Sequence, residues 1–492
     1  MKGIYASCGY NKEKTLEFIR NTLPTNYHCV SAIKNGKPLS KFALAPYDTS
    51  DSPQVFSLSK SFCSTAAGFA YDEGLFRPTD RFSDFFPEHL PENISERARS
   101  MTVENLLTMG TGHSSCAMNE CINSPDPIRA FFEKDVPYEP GSRFVYNTGA
   151  TFMVAALVEK LTGESVYGYL DRKLFCKLGL RPRKWQRVPQ MSANGVNDGI
   201  CEGGVGLHVS LDLIERFGMM YINGGVVDGE QILSREWINL ATGKRIDNRK
   251  NDTVTDWVDG TKSDWEAGYG YQFWRNAEGG YRADGAFGQF CIILPEEGIV
   301  VSALAKAVDT EKEIRELISF ARGLDEEAPE GEGHFTDEFA DGIYAVPKLE
   351  RSGDFGGFGR LYRLENNLAG FASVRVDEVT DGVNVSFTDD EGVESFFAPF
   401  EGSAFCRISA KGFRPVISAL CPTRREEVLF NAGVERMSES ELVINMRFRN
   451  CPSSGRMTFT LGEDSSIEVY LKCDTDAWTD KSKFNVYKGK AF

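Results

Sequence analysis

What this 492-residue chain lacks narrows its function before any motif is considered. It has no run of about 18 apolar residues, so no membrane-spanning helix is expected. Its first residues, Met1-Lys2-Gly3-Ile4-Tyr5-Ala6-Ser7-Cys8, lack the apolar core of a signal peptide, and the expected location is cytoplasmic. Positive charge is short: 55 Lys+Arg face 71 Asp+Glu, a formal net charge of −16. That balance, with no Lys/Arg cluster, argues against nucleic acid or an anionic membrane as the main partner. The twelve cysteines have no dense, regular spacing, so free thiols are expected rather than a disulfide framework. His113 with Cys116 and Cys121 could open a metal site, but no second ligand pair of matching spacing follows, and no metal is expected. G-x-S-x-G is absent as well, which sets aside a nucleophile elbow of the α/β-hydrolase kind.

What the chain does have is Ser57 and Lys60 three residues apart, in Phe56-Ser57-Leu58-Ser59-Lys60-Ser61-Phe62. Leu58, Phe62, Ala66, Phe69 and Ala70 recur at helical spacing, and Gly74 stands where such a helix should stop. On a helix, residues i and i+3 share one face. A serine hydroxyl needs a neighbouring base to become a nucleophile, and a lysine neutralised by burial can be that base. S-x-x-K also arises readily by chance, and Ser31-Ala32-Ile33-Lys34 is a second copy. That copy precedes an Asn35-Gly36 turn and reads as a strand, on which Ser31 and Lys34 point to opposite faces. Only the Ser57 copy is placed to cooperate.

The length favours two domains. A helix over Glu13 to Thr22 precedes strands around Asn35-Gly36, and helical patterns dominate from Ser57 to about Thr242. Among them are Thr102 to Met109, Phe152 to Leu161 and Leu211 to Tyr221. Strand signals then return. Gly268-Tyr269-Gly270-Tyr271-Gln272-Phe273-Trp274 alternates small and aromatic residues, and the runs at 290–294 and 299–304 flank Pro295-Glu296-Glu297-Gly298 as a hairpin. Thr310 to Glu313 resembles a capping box opening a helix. Strands, then helices, then strands and a helix describe one sheet interrupted by a helical insertion, an α+β class. Residues 325–334 are acidic and carry Pro and Gly, as a linker does. Residues 335–492 alternate at strand length and are expected to form a separate β-rich barrel or sandwich after a first domain at 1–324.

Two further stretches complete a possible site. Tyr146, in Phe144-Val145-Tyr146-Asn147-Thr148-Gly149, lies on a loop entering a helix, where its hydroxyl can point into a cleft and Lys60 could stabilise its anion; ring packing alone would also explain it. Arg282-Ala283-Asp284-Gly285-Ala286 lies on the strand opening the hairpin, and an N–H there could join that of Ser57 in an oxyanion hole; an ordinary glycine turn is the alternative.

Taken in order, S-x-x-K, a tyrosine before a helix and a glycine-bearing strand before an apolar hairpin, the chain resembles the serine β-lactamase and penicillin-binding-protein superfamily. The likeness is to its class C β-lactamase and esterase branch, which includes linear nylon-oligomer hydrolases. It covers about residues 25–322, with support from Glu104 to His113, Gly203-Gly204-Val205-Gly206-Leu207, Asp212, Phe217-Gly218 and Tyr221. The resemblance implies a β-lactamase/transpeptidase-like sheet and an acyl-enzyme on Ser57. It implies Lys60 and Tyr146 as base and acid, N–H groups of Ser57 and Ala286 as oxyanion donors, and Asn147, Thr148, Asp284 and Gly285 at the substrate, with no cofactor. Two departures matter. Thr148 stands where that family's second motif carries Asn, and Ala283 where its third motif carries Lys or His. Lacking that cation, with Asp284 alongside, the expected activity is that of an esterase or amidase on a small acyl substrate rather than a β-lactamase. A penicillin-binding or sensor-type protein on the same scaffold, acylated with little turnover, or a true β-lactamase, is the competing expectation, and an acyl transferase shares the same acyl-enzyme.

Overall fold

The computed structural model describes residues 4–8, 11–22, 25–192, 195–249, 263–307, 309–328, 334–335, 349–352, 358–367, 370–390, 392–409, 427–450, 453–473 and 486–491. The chain forms two compact units. One comprises Tyr5–Ala43 with Gln54–Phe335, the other Met1–Ile4, Leu44–Pro53 and Thr336–Phe492.

The first unit is built on a sheet whose strands come from both ends of its sequence. These are β1 (Ile4–Cys8), β2 (Tyr27–Lys34), β3 (Lys37–Leu44), β4 (Trp274–Arg275), β5 (Tyr281–Gly285), β6 (Gln289–Leu294), β7 (Ile299–Ala305) and β8 (His334–Phe335), in the order β4-β5-β6-β7-β2-β3-β1-β8. β6 and β7 are the expected hairpin, with Ile292 opposite Val301, and Gly298 closes the turn at φ 68°. β7 then pairs antiparallel with β2, Ser302 opposite Ser31, so the helical region is inserted between paired strands, as the α+β reading requires. β6 and β7 are buried along their whole length. Helices α1 (Lys12–Asn21) and α6 (Thr310–Gly323) flank the inserted set, which includes α2 (Ser59–Asp72), α3 (Val103–Leu107), α4 (Thr148–Thr162) and α5 (Leu211–Ile222).

Helix α2 is buried on every side from Ser59 to Ala70, not along one stripe. Two of its small polar residues bond to backbone carbonyls, one within the helix and one on a distant segment. Ser61 Oγ donates to the Gln272 carbonyl at 2.7 Å, and Thr65 Oγ1 to the Ser61 carbonyl at 2.8 Å. The decoy pair sits on β2 as expected: Ser31 Oγ donates to Glu215, and Lys34 pairs with Glu326 at 2.9 Å.

Two sequence expectations are corrected. Gly268 to Trp274 is not a strand; apart from a bridge at Tyr269 and the start of β4 at Trp274, it is irregular. Its alternation arises because Tyr269, Tyr271 and Phe273 are all buried, around a backbone that turns at Gln272 (φ 66°). The N-cap of α6 is Asp309, whose carboxylate accepts from the Lys312 N–H at 3.0 Å. Thr310 and Glu313 form no capping box, and Glu313 is instead turned into the interior.

In the second unit the described strands from Leu361 to Ala491 belong to one sheet that curls, with the strand Val393–Pro399 packed beside Ala404–Ser409 and Glu427–Met437. Val383, Val385 and Phe387 point inward while Asn384 and Ser386 point away, the period of two expected of a strand with one buried face. Phe430, Phe448, Met457, Phe459 and Val469 fill the enclosed core.

Candidate active site

The site begins with a strained turn. Residues 56–58 form a single 3₁₀ turn running into α2, and Phe56 has φ 46°, a conformation that costs a non-glycine residue about 1–3 kcal/mol. Ser59 holds this turn, its Oγ donating to the Phe56 carbonyl at 2.5 Å and accepting from the Leu207 N–H at 3.2 Å. The result leaves Ser57 partly exposed while Phe56, Leu58, Ser59 and Lys60 are buried.

Lys60 Nζ donates to Ser57 Oγ at 2.9 Å and to the Gly204 carbonyl at 2.9 Å. Thr148 offers no acceptor to the amine here; the backbone at Gly204 does. A Cβ on Gly204 would sit 2.8 Å from Thr148 Cγ2 and 3.4 Å from Lys60 Nζ, so only glycine lets this carbonyl approach. Burial lowers the Lys60 amine from 10.5 to about 7, with the neighbouring Cys116, Cys63 and Asp284 opposing the shift. An amine with this value is largely unprotonated just above neutrality and can accept the serine proton. The Tyr146 phenol lies beside Ser57, and its ring centre is 4.8 Å from Lys60 Nζ. Burial pushes this phenol well above its ordinary value, so it remains a proton donor at neutral pH. Ser57, Lys60 and Tyr146 therefore converge.

The edge of β5 closes the site from the other side. A Cβ on Gly285 would lie 2.1 Å from the Val55 carbonyl and 3.2 Å from the Leu58 N, so the strand runs directly against the turn bearing Ser57. Ala286 follows it, partly exposed, in a turn fixed by Gln289, whose Nε2 donates to the carbonyls of Ala286 (3.3 Å), Phe287 (3.0 Å) and Ala305 (2.8 Å). Phe287 has φ 65° and packs edge-on against Phe56 at 5.4 Å, so two left-handed phenylalanines brace the two backbone segments that meet here.

Asp284 is 7% exposed and shares a strand face with Arg282, which pairs with it at 2.8 Å from Nε. Burial raises the Asp284 carboxyl to about 6, against the opposing pull of Arg282. Asn147, expected at the substrate, is wholly buried and bonded to a neighbouring loop. Its Oδ1 accepts from the Ala117 N–H at 2.9 Å, and its Nδ2 lies 3.4 Å from both Thr111 and His113, which secures the 111–117 loop. Thr148 is partly exposed at the start of α4. His113 is buried, has both ring nitrogens engaged and is pushed down to about 4 by burial. Among the described residues no group of three or more His, Cys, Asp or Glu could hold a metal, and no helix is long and apolar enough to cross a membrane.

Sequence reasoning passed over two contributors. Gly204 was legible only as one of a glycine cluster. Gln272 gave no local signal, yet it joins three helices. Its carbonyl accepts from Ser61 of α2, its Oε1 from Thr151 of α4 at 2.7 Å, and its Nε2 donates to Leu107 of α3 at 2.8 Å.

Residues 29–322 match the Beta-lactamase family, and the chain belongs to that family. It is 26% identical over 297 residues to the 6-aminohexanoate-dimer hydrolase of Paenarthrobacter ureafaciens, across 56% of this chain and 72% of that protein. Two solved structures share the fold, each with TM-score 0.50 and 16% identity. One is a putative beta-lactamase from Bacteroides dorei, matched over 64% of this chain and 99% of its own. The other is a penicillin-binding protein homologue from Caulobacter crescentus, matched over 65% and 99%. The protein is a hydrolase of the β-lactamase family, with a β-rich C-terminal region beyond the matched residues.

Proposed function

We propose that the protein cleaves an ester or amide bond of a small acyl substrate through an acyl-enzyme on Ser57. The observation that carries this reading is the 2.9 Å contact between Ser57 Oγ and an amine that burial holds near 7. Lys60 takes the hydroxyl proton as Ser57 Oγ forms a bond to the acyl carbon, and the N–H groups of Ser57 and Ala286 receive the oxyanion. The bond to the leaving group then breaks, and the proton passes through the Tyr146 phenol to the departing oxygen or nitrogen. Water, deprotonated by the same pair, attacks the acyl-enzyme and releases the acid and free Ser57. Thr148, Gly285 and Asp284 border the substrate. The hydrolase domain covers the unit of Tyr5–Ala43 and Gln54–Phe335, reaching past the expected linker at 325–334, and an accessory β domain lies within Thr336–Phe492.

Neither Ala283 nor Asp284 can hold a substrate carboxylate, and the cation on this strand, Arg282, is already paired. That arrangement favours ester or amide substrates over β-lactams. The test is a turnover screen of short-chain nitrophenyl esters, D-alanyl amides and a chromogenic cephalosporin, each against Ser57→Ala. Steady turnover of an ester or amide that disappears in the variant is expected. Turnover retained in Ser57→Ala eliminates the mechanism, and acylation without turnover identifies a sensor-type protein instead.

A further inference from the structure

Arg282 has no exposed surface at all, and a guanidinium in that position requires an explanation. Its Nε donates to Asp284 at 2.8 Å, and one terminal nitrogen donates to the carbonyls of Asp264 (3.0 Å) and Arg275 (3.1 Å) and to Asn276 Oδ1 (3.1 Å). The guanidinium also lies over Trp265 at 4.8 Å and Trp274 at 5.7 Å. Trp274 in turn stacks on Tyr146, ring centres 5.6 Å apart at 24°, and Tyr269 packs edge-on against it at 4.9 Å. Arg282 therefore touches neither Ser57 nor Lys60, but it fixes the ring behind Tyr146 and the carboxylate beside Lys60. A lysine could not do both, since the stack and the fork need a planar group.

We propose that Arg282 is a positioning residue for the reaction, holding Trp274 behind the Tyr146 ring and Asp284 toward Lys60. This inference rests on the reading of Ser57, Lys60 and Tyr146 as the reacting groups. Asp284 is the connection to the chemistry. The charged and titratable groups around it are Arg282 on its own strand, Asp264 from the preceding loop, Lys60 from α2, Glu313 from α6, and the Tyr146 and Tyr269 phenols. Arg282, ahead of Lys60, holds the Asp284 carboxyl down against burial, and the Asp284 anion in turn favours the protonated form of Lys60. Removing Arg282 lets Asp284 take up a proton in the neutral range, and Lys60 then loses its anion.

The test measures kcat and KM on an activated nitrophenyl ester from pH 5 to 10 for the full chain, Arg282→Met, Arg282→Lys, Asp284→Asn and the double variant. Arg282→Met should lower kcat at least tenfold, change KM less than twofold and move the midpoint of the kcat profile by half a pH unit or more. Arg282→Lys should restore the midpoint while recovering only part of kcat. In the Asp284→Asn background, Arg282→Met should move the midpoint by less than half as much. A wild-type midpoint in Arg282→Met, or an equal shift in both backgrounds, overturns the proposal. Should Arg282→Met fail to fold, Trp274→Leu removes the stack while leaving the ion pair. A kcat reduced at least fivefold with an unmoved midpoint supports the proposal, and an unchanged kcat overturns it. Loss of turnover in Ser57→Ala beside a normal Arg282→Met removes this inference alone, whereas turnover in Ser57→Ala removes the reading beneath it.

Discussion

Replacing Lys60 by methionine should leave the protein inactive but more stable, and the gain should depend on pH in a defined direction. Lys60 is 1% exposed, and its amine is lowered from 10.5 to about 7 chiefly by burial. At about 1.4 kcal/mol per tenfold, that gap corresponds to about 5 kcal/mol for charging the amine in the folded protein. Below pH 7 folded and unfolded chains both carry the proton, and the whole cost falls on the folded state. Between 7 and 10.5 the unfolded chain binds the extra proton, so stability rises with pH, and above 10.5 the cost is gone. Methionine fills the space without a charge but leaves the Gly204 carbonyl without its donor, a loss of about 1–2 kcal/mol. The variant should therefore be more stable by about 3 kcal/mol at pH 6, and slightly less stable than the parent at pH 10.5. Urea unfolding of both proteins across this range isolates the contribution, because every other titrating group is common to the two. A stability difference that stays constant from pH 6 to 10.5 would refute the assignment of Lys60 as a buried amine neutralised by its surroundings. Parallel rate measurements should show kcat/KM of the parent rising about tenfold per pH unit below 7 and levelling above it.

Three other outcomes follow from the geometry. Gln272→Ala removes bonds to Thr151 and Leu107 from a buried hub and should lower stability by about 2–4 kcal/mol, read as a fall in the urea midpoint. Gly285→Ala drives a methyl against the Val55 carbonyl, so kcat should fall at least tenfold while circular dichroism remains that of the folded protein. Glu313 is wholly buried with neither carboxyl oxygen hydrogen-bonded, and burial, Asp284 and Glu316 hold it well above 4.5. Its cost is absent below pH 4.5 and grows as pH rises, so Glu313→Met should raise the melting temperature at pH 7, by an amount that shrinks toward pH 4.

The order of elements was readable because the apolar periods at 58–70 and 211–221 and the hairpin about Pro295 to Gly298 are local patterns that tertiary packing reinforces. Gly268 to Trp274 misled because alternation records burial, and an irregular segment can bury alternate rings as well as a strand does. Ser57 and Lys60 could be paired because a three-residue spacing across a 3₁₀ turn and helix start fixes a geometry. Asn147 could not be placed, since whether an amide faces a cleft or clamps the 111–117 loop depends on contacts thirty or more residues away. Strand β5 shows both limits. The absence of a cation at 283 was plain in the sequence, but the period of two that sets Arg282 on the face of Asp284 gains meaning only once Trp265 and Trp274 are seen to pack against it.

The central claim, an acyl-enzyme on Ser57 primed by Lys60, is tested most directly by intact-mass spectrometry of the protein quenched during turnover of an activated ester. The account predicts one acyl group per chain, mapped by peptide analysis to Ser57, accumulating in a burst before steady turnover and absent from Ser57→Ala. Turnover without any adduct, or an adduct on another residue that persists in Ser57→Ala, would contradict it.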